Sequence, residues 1–318
     1  MQRIINILDR FAGKPIYEMT PEEIKKLGST YIPNNAVTRK LLDKPAKNIH
    51  RTALSIPVQD ASVPAYLYWE IEKTPFNKRD KVHKKPLIVF YHGGGWVLGY
   101  TVFNDFFCRK LANYTGAAVL AVDYRLAPQH PFPTAVDDSY SAFIWAYQHA
   151  PAWGANPDNI FVMGDSAGGN LAAVTCLQSR DRKGPKIAGQ ILLYPVTDAR
   201  MQTQSYQTHA NAPKLTRRKM EFFINSYKSS DQDIQNPYFS PLLAESHANL
   251  PPALVITAEY DLLHDEGLAY CDRLLEAGIP SQYLACKETI HGFIDYPKAS
   301  GTAETQDAVA RFVSAHTG

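Results

Sequence analysis

The sequence predicts an α/β fold, a mostly parallel sheet of about eight strands covered by helices on both faces, with a helical cap. Three observations predict it. From residue 86 onward, short and nearly continuous apolar runs alternate with stretches of helical periodicity, and strands apolar on both faces belong to a sheet that is covered on both faces. One apolar run, Ile160 to Met163, passes into an Ala- and Leu-rich helical segment through Gly164-Asp165-Ser166-Ala167-Gly168, a sharp strand-to-helix turn. The runs at 188 and 253 are separated by about sixty residues, far more than the handful that usually joins a strand to a helix.

Taken in order, residues 1 to about 45 carry two helical patterns and form an N-terminal cap segment on a main domain of residues 46–318. In the first pattern Ile4, Ile5, Leu8 and Phe11 share a face. In the second, Thr20-Pro21-Glu22-Glu23 supplies an N-cap, a proline at the first helical position and acids in the first turn. Such a piece has no core of its own, so it lies either over a functional site or on a sheet edge as a structural lid. Strand patterns follow at 52–58 and 63–71, where Ala65, Leu67 and Trp69 alternate with Tyr66, Tyr68 and Glu70. The basic stretch 72–85 is read as a solvated loop.

The strands of the alternating region are expected at 87–91, 117–123, 160–163, 188–193, 253–258 and 281–286, and the helices at 103–115, 134–149, 167–180, 265–277 and 302–315. A cap insertion is expected at about 198–245, containing the aromatic helix Thr216 to Tyr227.

A chain of 318 residues with 45% hydrophobic and 20% charged residues suits a globular domain with a sizeable core. A net charge of +2 is too near balance to indicate a nucleic-acid partner. Cys108, Cys176, Cys271 and Cys286 show no metal or haem spacing and sit in apolar or helical contexts, so buried free thiols in a reducing compartment are expected. The first eleven residues are interrupted by Asn6, Asp9 and Arg10 and lack a signal-peptide pattern. No apolar run approaches the length of a membrane span, and a cytoplasmic location is the default expectation.

In an open parallel sheet, ligand sites form at the carboxyl ends of the strands. Ser166 falls there in a G-x-S-x-G, whose glycines let strand and helix approach while the strained turn pushes the hydroxyl outward. The plain alternative is a Gly-rich helix cap with Ser166 or Asp165 as N-cap. His92-Gly93-Gly94-Gly95-Trp96 follows another strand. Three glycines turn the chain or bare its N–H groups, and bare N–H groups beside a serine face an oxyanion during acyl transfer. No P-loop pattern is present. A serine hydroxyl needs a base to take its proton and a carboxylate to orient that base. His291, in Thr289-Ile-His-Gly-Phe293, has the best context of ten histidines, with His264 and His247 as rivals. The strand at 253 ends in Glu259-Tyr260-Asp261, and spacing does not choose between Glu259 and Asp261, although Asp261 is preferred. Asp265 and Glu266 are read as first-turn acids of the next helix.

With these residues in view, the chain from about residue 85 to the end resembles the α/β-hydrolase esterases related to hormone-sensitive lipase. His92 to Trp96 is similar to the family's oxyanion motif and Gly164 to Gly169 to its nucleophile elbow. Asp123-Tyr-Arg-Leu-Ala-Pro128 resembles its structural signature, and Asp261 to Gly267 and His291 to Phe293 resemble its acid and base segments. The order Ser166, Asp261, His291 is that of an α/β-hydrolase. The resemblance implies Ser166 as nucleophile, His291 as base and Asp261 as its partner, with the N–H groups of Gly93, Gly94 and Ala167 as oxyanion hole. Gln129, Leu262 and His264 depart from the usual Glu, Pro and Arg. The resemblance also implies a mobile cap and, often, a homodimer through a sheet edge.

The expected activity is a serine carboxylesterase acting on short-to-medium acyl esters of a small-molecule substrate, with no metal or organic cofactor. Trp96, Tyr194, Phe222, Phe223, Tyr227 and Phe293 are candidates to line its acyl pocket. The rival readings are an amidase or formamidase using the same three residues, a non-catalytic small-molecule receptor on the same fold, and a scaffold with a vestigial pocket.

Overall fold

The computed structural model describes residues 14–20, 22–24, 48–70, 85–99 and 102–318. Eight strands form one sheet: β1 (Ile49–Val58), β2 (Ala61–Glu70), β3 (Lys85–Tyr91), β4 (Ala118–Val122), β5 (Ala155–Asp165), β6 (Gly189–Leu193), β7 (Ala253–Tyr260) and β8 (Ser281–Ile290). Their spatial order is β1-β2-β4-β3-β5-β6-β7-β8. The first two strands are antiparallel to each other, and β2 is antiparallel to β4, while every later pairing is parallel.

Strand alternation divides the core. Leu87, Val89, Tyr91, Val162, Leu192 and Val255 face one layer, which holds residues of α2 (Thr134–His149), α3 (Ala167–Asp181) and α6 (His264–Glu276). Ile88, Phe90, Phe161, Met163, Ile191 and Ile256 face the other, which holds residues of α1 (Val102–Thr115) and α7 (Thr302–Ala315). These five helices stand within about a residue of their expected bounds. Several strands run longer than their expected runs, β5 (Ala155–Asp165) and β8 (Ser281–Ile290) by the most. The last residues of β8 are polar, but Tyr260 pairs with Ile290 beyond a register shift and carries the ladder on.

The order of the sheet places the site. From β3 the chain moves outward to β4, then crosses back to set β5 on the other side of β3. The loops after β3 and β5 therefore diverge from a crevice at the carboxyl ends of neighbouring strands. Because Tyr91 is level with Gly164, the residues from His92 onward lie beside Asp165 and Ser166.

Between β6 and β7 lie a four-residue helix not anticipated from sequence, α4 (Ser205–Thr208), and the aromatic helix α5 (Arg217–Tyr227). The Thr216 hydroxyl caps α5 by accepting from Lys219 N at 3.2 Å. Met220, Phe223, Ile224 and Tyr227 are its buried residues, a spacing that forms one helical face. At the N-terminus, Ile16 and Ile24 are buried and the Arg218 guanidinium of α5 lies 4.0 Å above the Tyr17 ring. Thr20 is the expected N-cap, and the cap proves reciprocal, with Thr20 N donating to Glu23 at 2.6 Å and Glu23 N to Thr20 at 3.3 Å. The pattern of Ile4, Ile5, Leu8 and Phe11 and all but the last residue of the basic 72–85 stretch lie outside the described residues. All four cysteines are free and buried. Among the described residues, no helix is long and apolar enough to cross a membrane.

Candidate active site

Ser166 joins β5 to α3 with φ +54° and ψ −118°, a left-handed conformation that costs a non-glycine residue about 1 to 3 kcal/mol and persists only where its surroundings enforce it. The enforcement is visible. Ser166 N donates to Leu193 O at 2.9 Å, while its carbonyl accepts from Asn170 N at 3.1 Å and Val196 N at 3.3 Å. The Asn170 amide donates to Val196 O at 2.9 Å and Phe239 O at 2.8 Å. A Cβ on Gly164 would stand 2.8 Å from Gly169 N, and one on Gly168 would stand 2.6 Å from the Tyr91 carbonyl carbon and 2.7 Å from His92 O. Both glycines are thus required by close backbone approach. The serine side chain caps no helix N–H, which removes it from the plain capping alternative.

Its hydroxyl instead meets His291, with Oγ 3.0 Å from Nε2. The Nδ1 atom of the same ring is 2.6 Å from the Asp261 carboxylate, whose other oxygen accepts from Leu263 N at 3.0 Å. Gly292, at φ +69°, supplies the turn that aims the ring back over the sheet. Asp261 is fully buried, whereas Ser166 and His291 keep 8% and 7% exposure, so the reacting edge alone faces outward.

The rivals are accounted for elsewhere. Glu259 accepts from Glu288 N at 2.7 Å, His247 meets Pro241 O at 3.0 Å, and His264 faces Asp265 at 3.1 Å. Asp265 and Glu266 do stand in the first turn of α6, but they also bind the inserted segment. Asp265 accepts from Ser205 N at 2.7 Å, and Glu266 accepts from Thr197 N at 2.8 Å and Asp198 N at 3.3 Å. Burial first, and then the nearby Asp198 charge, hold the Glu266 carboxyl well above the usual carboxylate range.

One sequence expectation is corrected. Gly93 N does not remain bare, because it donates to Asp165 Oδ1 at 2.8 Å, a bond that closes the three-glycine loop onto the turn after β5. Among the described residues, the N–H groups of Gly94, Gly95 and Ala167 have no acceptor. Gly94 at φ +115° and Gly95 at φ +61° adopt backbone that side chains rarely allow. The sequence reading considered Asp165 only as a helix cap; its signal was its place between the two motifs' strands, which needed the β3/β5 pairing to interpret. Burial first, and then the Asp295 charge, raise its carboxyl to about 6, against the opposing pull of Gly93 N–H, His92 and Lys214.

Of the pocket candidates, Trp96, Tyr194 and Tyr227 are fully buried and Phe293 nearly so. Tyr194 packs its ring 4.8 Å from that of His291 and 5.6 Å from that of Phe293, backing the imidazole. Phe222 is half-buried. Phe223 lies directly on the oxyanion loop, since a Cβ on Gly95 would stand 2.5 Å from its ring carbons. Among the described residues, no group of three His, Cys, Asp or Glu is arranged to hold a metal ion.

Comparison with known proteins agrees with this geometry. Residues 88–295 match the model of an alpha/beta hydrolase fold family. The chain is 40% identical over 279 residues to the carboxylic ester hydrolase LipN of Mycobacterium tuberculosis, covering 86% of this chain and 72% of that protein. It is 36% identical over 248 residues to an arylesterase of Saccharolobus solfataricus, covering 78% of each. Its structure superposes on the hyperthermophilic esterase of Pyrobaculum calidifontis with a TM-score of 0.83 at 35% identity, over 99% of this chain and 98% of that one. The chain therefore belongs to the α/β-hydrolase fold family, among its carboxylic ester hydrolases of the hormone-sensitive lipase type.

Proposed function

We propose that the protein is a serine carboxylesterase that cleaves short-to-medium acyl esters through an acyl-enzyme, with Ser166 as nucleophile, His291 as base and acid, and Asp261 as the group that orients and stabilises the charged imidazole. The observation that carries this reading is the continuous contact from Ser166 Oγ to His291 Nε2 at 3.0 Å and from His291 Nδ1 to Asp261 at 2.6 Å. In the first half-reaction Oγ bonds to the ester carbon while its proton passes to Nε2. The carbonyl oxygen takes the negative charge and receives the N–H groups of Gly94, Gly95 and Ala167. As the tetrahedral species collapses, Nε2 returns the proton to the departing alcohol. Water then repeats the sequence, giving its proton to Nε2 and releasing the acid and the free hydroxyl.

Phe223 over Gly95, with Phe222 beside it on the same helix, supports an apolar and confined acyl site under the inserted helix. That helix, together with the N-terminal residues packed on it, is read as the cap. The four buried thiols support a reducing, cytoplasmic setting. The test is a pre-steady-state burst with a p-nitrophenyl ester. The native chain should release a stoichiometric burst and Ser166→Ala none, whereas a burst surviving that substitution would remove the mechanism. A panel graded by acyl length should peak at short to medium chains, and a matched amide should be the poorer substrate.

A further inference from the structure

We propose that Lys214 is a positioning residue for the catalytic base, a cation lent by the inserted segment that fixes the loop after His291. The inference rests on the reading of Ser166, His291 and Asp261 given above.

Lys214 lies in the stretch between α4 and α5 and adopts φ +69°, the left-handed region that a side chain with a Cβ rarely enters. Its own carbonyl is held by Lys219 Nζ at 2.9 Å, and Leu215 beside it is buried. The bent backbone sends the side chain across Gly292, where an added Cβ would stand 2.8 Å from Lys214 Cε and 3.2 Å from its Cδ. Lys214 Nζ donates to Gly292 O at 3.1 Å, pairs with the Asp295 carboxylate, and stands 5.3 Å from the centre of the Tyr296 ring. One ammonium therefore grips three of the five residues that follow the base.

The same cation reaches further. Asp165 has Asp295, His92 and Lys214 as its ionisable neighbours and Gly93 N–H as its donor. Asp295 opposes the Asp165 charge and Lys214 favours it. Around Lys214 the facing groups are Asp295, Tyr296 and Asp165; burial works most strongly against its charge, and these three groups together outweigh it. The inserted segment, the base loop, the elbow and the oxyanion loop thus share one charge cluster.

Stability alone is a poor account of this arrangement. The Lys214 and Asp295 side chains keep 31% and 27% exposure, and partly exposed ion pairs contribute only modestly. The pair is nonetheless built on a strained backbone at one end and a bare glycine at the other. Strain of that kind marks places where geometry serves the chemistry.

The test uses the full chain with Lys214→Met, Lys214→Arg and Asp295→Asn, reading kcat and KM for p-nitrophenyl esters across pH. Lys214→Met should lower kcat about 10- to 100-fold through a misplaced base while KM changes little, and Lys214→Arg should restore most of it. Removing the cation should move the acid limb of kcat/KM to higher pH, and removing the Asp295 charge should move it to lower pH, because the two act oppositely on the Asp165 carboxylate. Should Lys214→Met fold poorly, an acid limb displaced to lower pH in Asp295→Asn together with a native profile in Lys214→Arg supports the proposal. A Lys214→Met enzyme with kcat within about twofold of native, or Lys214→Met and Asp295→Asn profiles that shift the same way or not at all, overturns it. Activity surviving in Ser166→Ala would instead overturn the underlying mechanism, whatever the lysine variants do.

Discussion

The Tyr227 ring of α5 lies 4.5 Å from the Trp96 indole and within 10° of parallel, joining the inserted helix to the loop that carries Gly93, Gly94 and Gly95. The Tyr227 hydroxyl and the Trp96 indole N–H are both buried without a hydrogen-bond partner among the described residues, so the contact works through packing. Tyr227→Phe should therefore be neutral or slightly stabilising, because it deletes an unsatisfied polar group. Tyr227→Ala should cost about 3 to 5 kcal/mol and lower kcat/KM as the inserted helix loosens. Urea unfolding of the two variants side by side checks the difference.

Asp261 meets His291 on the side away from the serine, so Asp261→Asn should leave the fold intact while presenting the wrong tautomer to Ser166. A fall in kcat on the order of 10⁴ is expected, with the thermal midpoint near native. Loss of the midpoint in step with activity would assign the residue a structural role instead.

Asp165→Asn keeps an oxygen for Gly93 N–H but removes a carboxyl held at about 6. A carboxyl raised in the folded state makes the native protein bind more protons than the unfolded chain, so its penalty is absent below pH 4 and grows as pH rises to about 6. The asparagine variant should thus be more stable than native at pH 8, by about 1 to 2 kcal/mol after allowing for partial exposure. That advantage should vanish near pH 4 in thermal scans.

Gly168→Ala drives a methyl group into the Tyr91 and His92 backbone, which no rotamer can avoid, and should abolish soluble folded protein or cost more than about 4 kcal/mol. Gly278→Ala is the control. At φ +75° with open space around it, it should cost only about 1 kcal/mol.

Periodicity made the sheet and its main helices legible, because strands such as Leu87 to Tyr91 are apolar on both faces and helices such as Thr134–His149 carry one apolar stripe. The end of β8 was not legible, since Lys287, Glu288 and Thr289 lie in the irregularity between the Ala258–Cys286 and Tyr260–Ile290 pairings with β7, which composition does not signal. The site residues Ser166, His291 and Asp261 were readable because each sits beside a glycine or at the end of an apolar run. Gly93 was misread because a run of three glycines does not say which amide another segment will occupy, and the Asp165 carboxylate that occupies it lies 72 residues away. Lys214 carried no local signal at all, since its partners Gly292 and Asp295 come from the far end of the chain.

Level pairing of Tyr91 with Gly164 is what brings those distant pieces together. A slip of one residue between β3 and β5 would turn every side chain to the opposite layer and carry the amides past the hydroxyl. Turnover is therefore a proofreader of sheet alignment. In a refolding experiment, the fraction recovered by catalysis should never exceed the fraction recovered by far-ultraviolet dichroism, and any gap between them counts chains that are pleated but mis-threaded.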